Sequence, residues 1–374
     1  MDKNITGRFI AELRKQKGFT QKELAEKLMV TDKAISRWET GKGLPDTSLL
    51  KPLGDVLGVS DIPSGELSGE NVSGESGEIE ELVDEPKIFS GDARPIAVMI
   101  DNEKGAWPQA GLNDAYMIYE ITVEGGETRF IAFFKGQDTA KIGPVRSSRH
   151  YFLDYVLEHD AIYVHFGWSP LAQSNIKTLG INNINGIYDN FYWRELPKGS
   201  YHNAFTSMSN IMKFATRKKY RTTSDKECVV KFNDKDTNIE SEMTANNVKI
   251  KYSYVQNTSY VYDKDRKVYL RSMRGIEHRD RWTNEQFYAK NIIILNVKNE
   301  LLDDPENKGR QELYNVGTGK GYYITNGEYE PITWKKDSRS SRTIYYDLNG
   351  NELKVNNGIT WVQIVPVSGT ITIE

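Results

Sequence analysis

Between Met117 and His165, two apolar runs rich in β-branched and aromatic residues, 116–123 and 128–134, flank the four residues Glu124-Gly125-Gly126-Glu127. Composition of that kind around a Gly-Gly pair predicts two antiparallel strands joined by a tight turn. A third run, Ala161 to His165, predicts a buried strand. The segment before it, Ser147 to Leu157, places Tyr151, Phe152, Tyr155 and Val156 at helical spacing. That helix is expected to start within Gly143-Pro144-Val145-Arg146-Ser147-Ser148-Arg149-His150. A helix start offers unpaired backbone N–H groups and the positive end of the helix dipole, so with Arg146, Arg149 and His150 an anion is expected to sit there.

A chain of 374 residues exceeds one ordinary core, and two or three domains are expected. Its 38% hydrophobic and 11% aromatic content is ample for globular cores and excludes disorder throughout. The net charge of -3 conceals an asymmetry: residues 1–60 hold 11 Lys/Arg against 8 Asp/Glu, and residues 61–94 hold 2 against 10. Cys228, the one cysteine, excludes an internal disulfide framework and disfavours a cysteine-based metal site. No run approaches the roughly 18–20 apolar residues of a membrane span, and Met1-Asp2-Lys3-Asn4 has no signal-peptide core, so a soluble, cytoplasmic protein is expected.

Residues 1–60 alternate helical patterns with short breaks. Phe9, Ile10 and Leu13 give the apolar face of a first helix ending near Gly18. Thr20 with Glu23 forms a capping box ahead of Leu24, Ala25 and Leu28, and Met29-Val30 is the turn. Thr31 caps a third helix, Asp32 to Thr40, with Ala34, Ile35 and Trp38 inward and Asp32, Lys33, Ser36 and Arg37 outward. Asp46 caps a fourth, which carries Leu49, Leu50, Leu53, Val56 and Leu57. This order of faces, with Phe19-Thr20-Gln21-Lys22-Glu23-Leu24-Ala25, the run from Val30 to Lys42 and Leu44-Pro45-Asp46, resembles a Cro/C1-type (Xre) helix-turn-helix domain. The resemblance implies a DNA-binding, transcription-regulating domain whose second motif helix enters the major groove. It places Asp32, Lys33, Ser36 and Arg37 at bases, with Thr31 at the helix start, and Gln21 and Lys42 at phosphate, so double-stranded DNA is the expected partner.

Residues 61–94 repeat a degenerate Ser-Gly-Glu at 64–66, 68–70 and 73–75, followed by Glu78-Ile79-Glu80-Glu81. Such a tract buries too little apolar surface to offset its chain entropy and is expected as a flexible, disordered acidic linker, or as an acidic decoy for the basic helix-turn-helix face. From residue 95 the pattern predicts an α/β domain over 95–225, then a mainly antiparallel β domain over 226–374. Helices are expected at Leu171 to Leu179 and from Ser209 to about Lys218. Gly317-Thr318-Gly319-Lys320-Gly321 is read as a turn.

Arg94 to Asn102, Val123 to Phe130, Gly143 to Arg149, Tyr163 to Gly167 and, further on, His278-Arg279-Asp280, Asn291 to Leu295, Val316 to Gly319, Thr333 to Lys336 and Gly358 to Trp361 resemble the YerB-like family of bacterial lipoproteins, a domain of unknown function. Members usually carry a lipoprotein signal, from which this chain departs. The fold class expected is therefore multidomain: an all-α helix-turn-helix bundle, an acidic linker, and a two-part YerB-like module.

Asp101, Glu120, Glu124, Arg129, Arg146, Arg149 and His165 fall at expected strand ends or the helix start, where open α/β sheets place ligands. Arginine forks bind phosphate or carboxylate bidentately, and a histidine beside carboxylates can act as a general base. The bland alternative pairs Glu124 with Arg129 across the hairpin and makes His165 a satisfied core residue. No nucleophile–base pair is recognisable, so no catalytic residue is assigned. The spacings of His202, His278 and Asp280 match no metal-ligand motif, so neither metal nor cofactor is expected. Tyr188, Phe191, Tyr192 and Trp193 are read as core, with a sugar-binding face as the alternative. Three functions follow: a DNA-binding regulator whose large module senses an anionic small molecule or a protein partner and provides any homodimer contact; an enzyme or binding protein for a phosphorylated or glycan ligand, with the helix-turn-helix as accessory; or a DNA-tethered protein-interaction scaffold.

Overall fold

The computed structural model describes residues 3–28, 30–40, 43–45, 47–57, 91–195 and 202–374. The chain divides into two compact units at residues 81/82. The first holds helices α1 (Lys3–Gln16), α2 (Gln21–Lys27), α3 (Asp32–Glu39) and α4 (Thr47–Leu57). Thr20 and Glu23 close the expected capping box, and Thr31 Oγ1 accepts the Ala34 N–H at 3.2 Å to start α3. Ile10, Leu13, Leu24, Ile35, Trp38, Leu53 and Leu57 are buried together as one core. Arg14 ties α1 to the end of α3, with Nε donating to Glu39 Oε1 at 2.5 Å. Gly7 is required in α1, because a Cβ there would sit 2.1 Å from the Trp38 carbonyl oxygen. Met29 of the expected turn, the expected cap Asp46, Lys42, residues 58–60 and residues 61–90 of the expected linker lie outside the described residues.

The second unit is built on a ten-stranded sheet and a smaller sheet facing it. In chain order the principal elements are β1 (Ile96–Asp101), β2 (Met117–Thr122), β3 (Thr128–Phe134), α5 (Leu153–Glu158), β4 (Ile162–His165), α6 (Pro170–Thr178), β5 (Asn183–Asn185), α7 (Met208–Arg217), β6 (Asn247–Lys251), β7 (Asn257–Asp263), β8 (Val268–Met273), β9 (Asn291–Val297), β10 (Gly317–Thr325), β11 (Glu328–Lys336), β12 (Ile344–Tyr346), β13 (Thr360–Pro366) and β14 (Thr370–Ile373). The large sheet runs β12-β11-β10-β9-β13-β2-β3-β1-β4-β5, and the small one runs β8-β7-β6-β14 with short strands beyond β8.

The expected hairpin is β2–β3, with Thr122 opposite Thr128. Gly125 and Gly126 turn the chain at φ +70° and +75°, where a side chain would be strained. The expected separation at 225/226 is corrected: β13 pairs parallel with both β2 and β9, so strands from the two halves share one sheet and one core. The linker boundary also moves. Ala93 bridges to Thr223, and the Arg94 guanidinium reaches the Asp160 carbonyl at 2.6 Å, so 91–94 belong to the large unit.

The expected helix start at 143–150 is corrected too. Residues 143–149 form an extended strap, bridged from Gly143 to Ala110, Val145 to Ile100 and Ser148 to Trp168, and the α-helix begins only at Leu153. Backbone N–H groups of the strap are spent in this pairing: Arg146 donates to the Met99 carbonyl and Ser148 to that of Gly167. The stretch 317–321, read as a turn, opens β10. Its glycines answer close approaches: a Cβ on Gly319 would meet the Trp334 indole at 2.5 Å, and one on Gly321 would meet the Ile294 oxygen at 2.1 Å.

Between the sheets lies a buried ion pair, Arg271 Nη2 on β8 donating to Glu120 Oε2 on β2 at 2.8 Å, both side chains fully enclosed. The other Glu120 oxygen accepts from Thr128 at 2.8 Å, Gln256 at 3.0 Å and Asn102 at 3.2 Å. The guanidinium lies 4.5 Å from the Trp361 ring centroid and 5.1 Å from that of Phe130. Removing one partner of such a pair leaves a buried charge uncompensated. Glu120→Gln is expected to destabilise the large unit by about 3–5 kcal/mol in chemical denaturation, and Glu120→Leu with Arg271→Met by less than the two single changes added. Additive losses would show that the two groups do not act as a pair.

Candidate functional site

On the helical unit, the face expected to meet DNA is carried by α3. Lys33 and Arg37 are exposed one turn apart and Ser36 is half-buried beside them. Asp32 Oδ1 accepts the Lys33 N–H at 2.8 Å, so this carboxylate lies against the helix start. Gln21, expected at phosphate, donates its amide to Glu39 Oε2 at 2.7 Å and braces α2 against α3.

In the large unit, five of the seven expected residues converge and two do not. Glu120 belongs to the inter-sheet pair. His165 is fully buried, with Nδ1 2.8 Å from the Gly167 carbonyl and Nε2 3.3 Å from Asn183 Oδ1, and burial pushes its pKa down to about 4. It is a neutral core histidine. Asp101, Glu124, Arg129, Arg146 and Arg149 meet where β1 ends, the hairpin turns and the strap passes.

Register across β1 and β3 places Asp101 opposite Arg129. Arg129 Nη1 donates to the Ser147 carbonyl at 2.7 Å, with Nη2 3.8 Å from Glu124 Oε2. Arg149 grips Glu124 with Nε and, at 3.0 Å, with Nη2. Arg146 Nε lies 3.0 Å from Asp101 Oδ2. Burial, followed by the repulsion of Arg149, brings the Arg129 pKa down to about 10. Burial would raise the Glu124 pKa, but the hydrogen bond and charge of Arg149 and the charge of Arg129 hold it below the usual carboxylate range. All three guanidiniums thus have a protein carboxylate within 4 Å, and two carboxylates serve three arginines.

Two further residues belong here that no spacing in the sequence announces. His202 Nδ1 lies 2.6 Å from Asp101 Oδ2, and its Nε2 is 3.4 Å from Glu103 Oε2. Asp101, Glu103 and His202 bring ligand atoms within 4.8 Å of one another, a grouping that could hold a metal ion. The Asp101 oxygen already shares a guanidinium and an imidazole, so positive charge is supplied by the protein itself. His278 and Asp280, weighed with His202 as ligands, are used elsewhere: His278 Nε2 lies 2.6 Å from Gln109 Oε1, and Asp280 accepts the Gly111 N–H at 2.6 Å. Gln109 in turn donates to the Asp101 carbonyl at 2.8 Å, linking the charged cluster to the interior. A separate cleft of about 350 Å³ near α6 contains one guanidinium, Arg339, already held by Asp154 at 2.6 Å, Asn175 and the His150 carbonyl.

A helical unit of helix-turn-helix order joined to a two-sheet module with a cluster of paired charges defines the class. Residues 10–61 match the helix-turn-helix family model, and residues 83–221 and 248–362 match the N-terminal and C-terminal domains of a protein family of unknown function, DUF3048. The chain belongs to this DUF3048 family of YerB-like proteins, with a helix-turn-helix domain fused ahead of the YerB-like module. It is 32% identical over 280 residues to a protein named as a lipoprotein, YerB of Bacillus subtilis (strain 168), covering 74% of this chain and 82% of that one. The crystal structure of YerB superposes with a TM-score of 0.67 at 31% identity, over 75% of this chain and 94% of that one. Over 59 residues, 15% of this chain and 29% of the relative, it is 42% identical to the HTH-type transcriptional activator BcrR of Enterococcus faecalis.

For His202, the hydrogen bond to Asp101 outweighs burial and raises its pKa, so the imidazolium is stabilised by folding. For Asp101, burial raises the pKa, but the His202 hydrogen bond and the charges of Arg146 and Arg129 overcome it and hold the pKa low. The His202 contribution is complete below its unfolded value of about 6.5 and is lost as pH rises through its higher folded value. The Asp101 contribution is present above about 3.9 and is lost as pH falls through its lower folded value. An NMR titration of His202 is expected to show a midpoint above 6.5 that falls in Asp101→Asn; an unchanged midpoint would remove Asp101 as the cause.

Proposed function

We propose that the chain is a DNA-binding transcriptional regulator whose YerB-like module takes an anionic ligand at the Asp101–Arg149 cleft. The observation that carries the first half is the capped α2–turn–α3 pair, with Lys33 and Arg37 exposed on the second helix. Arginine and lysine in that place donate to guanine O6 and N7. Gln21, already bonded to Glu39, supports the orientation of α3. The second half rests on charge: Arg129, Arg146 and Arg149 share two close carboxylates, and the charge of an incoming phosphate or carboxylate would offset the burial and the repulsion that together depress Arg129.

A transcriptional regulator works where the DNA is, and the cytoplasm is the location this reading proposes for the chain. Among the described residues no helix is long and apolar enough to cross a membrane, and the sequence between the units has no apolar run of about 18 residues. The native chain is expected in the soluble fraction of cells; recovery with the membrane would overturn the placement. In binding-site selection with the full chain, Arg37→Ala is expected to cost about 1–3 kcal/mol and to relax base preference. Equal binding by wild type and the Lys33→Ala/Arg37→Ala double variant would refute DNA reading through α3.

A further inference from the structure

The run Tyr188 to Trp193, read from sequence as core, is core only at Phe191; Tyr188 is 72% exposed and its neighbour Ile187 53%. These residues follow β5, and their loop packs against the loop that follows β4. The Gly167 and Ile187 N–H groups both donate to Asn185 Oδ1, at 2.9 and 3.1 Å. The ring centroids of Trp168 and Tyr188 are 5.9 Å apart, and those of Phe166 and Tyr192 4.8 Å. The Arg194 guanidinium lies over Phe166 at 5.1 Å and Tyr192 at 5.3 Å. Aromatic rings and arginine are the residue types enriched at recognition surfaces.

This patch adjoins the charged cluster through the backbone. The strap bearing Arg146 and Arg149 is laced to the loop bearing Phe166 and Trp168 by three backbone hydrogen bonds. Phe166 N–H donates to the Arg146 carbonyl at 2.9 Å, Ser148 to Gly167 at 3.0 Å, and Ser169 to Ser148 at 3.2 Å. On the far side, Arg194 donates to Asn203 Oδ1 at 2.7 Å, next in sequence to the His202 that contacts Asp101. The strap that bears the arginines and the loop that bears Phe166 and Trp168 therefore run side by side at the carboxyl ends of the parallel strands β1 and β4, where α/β sheets bind ligands.

We infer that the cleft takes an anion attached to a ring: a phosphate or carboxylate held by Arg146 and its neighbours, with the cyclic body against Trp168 and Tyr188. This rests on the anion-binding reading above. Stacking on an aromatic side chain is tolerant of base identity, and the C–H face of a sugar packs on the same rings, so nucleotides and acidic or phosphorylated sugars share the required chemistry. Trp168 and Tyr188 serve the ring and the arginines the charge, which makes the two contributions separable.

The test is calorimetric titration of the full chain with inorganic phosphate, adenosine monophosphate, glucose 6-phosphate, adenosine and glucose. A ring-bearing anion is expected to bind at least about fivefold more tightly than inorganic phosphate, and Tyr188→Ala, at an exposed position, to abolish that advantage while leaving phosphate affinity unchanged. Arg146→Ala is expected to weaken both. The tighter of the nucleotide and the sugar phosphate identifies the source of the ring. Equal affinity for phosphate and both ring-bearing anions, or no effect of Tyr188→Ala and Trp168→Ala, would overturn the ring contact while leaving anion binding standing. Adenosine or glucose binding as tightly as its phosphate would overturn the pairing of ring with charge. Failure of phosphate and all ring-bearing anions to bind would overturn both this inference and the reading beneath it.

Discussion

The large unit depends on the enclosed Glu120–Arg271 pair. Taking both charges out of water costs several kcal/mol each, and their attraction repays this only with good geometry and full hydrogen bonding. The carboxylate is hydrogen-bonded by parts of two sheets, Thr128 and Asn102 from the side of β2 and β3 and Gln256 and Thr258 from the side of β7, and the rings of Phe130 and Trp361 surround the guanidinium, whose Nε is left without a hydrogen-bond partner. A small shift of one sheet over the other would strand a charge in apolar surroundings. The pair thus fixes an alignment that non-directional apolar packing alone would leave loose.

Outward from the pair the same constraint reaches the surface. Arg271 contacts His278, whose ring stacks on Trp107 with centroids 5.3 Å apart and meets Gln109, and Gln109 holds the Asp101–Asn102 corner. Burial, and then the charge of Arg271, keeps the His278 pKa well below its ordinary value, so this relay is neutral. The charged cluster is therefore backed by residues of both halves of the module: Asp101 and Gln109 come from the first half, and His278 and Arg271 behind them from the second.

Local signals were legible where one short segment determines its own structure. The capping box at Thr20 and Glu23 and the β2–β3 turn on two glycines each satisfy neighbouring backbone groups, and residue type at short spacing revealed both. The strap at 143–149 misled because apolar spacing further along fits a helix, while its backbone pairs with β1, Ala110 and Trp168, partners distant or concealed in sequence. Strand β11 escaped notice because Pro331 and four charged residues interrupt its apolar alternation. Arg129, Arg146 and Arg149 were found from residue type and clustering. His202 was not, since only the fold brings it to Asp101, and Tyr188 looked like core because ring content does not reveal which rings face out.

Strand β13 lies between β2 and β9, so residue 117 pairs with residue 360 near the end of the chain. During synthesis β2 must wait for almost the entire polypeptide before that side of it is covered, a non-local closure of the kind that slows folding. The helical unit has no such wait, because its core closes within the first 57 residues. A nascent chain can therefore present a finished helix-turn-helix while its larger partner is still open-edged and exposed to chance strand pairing.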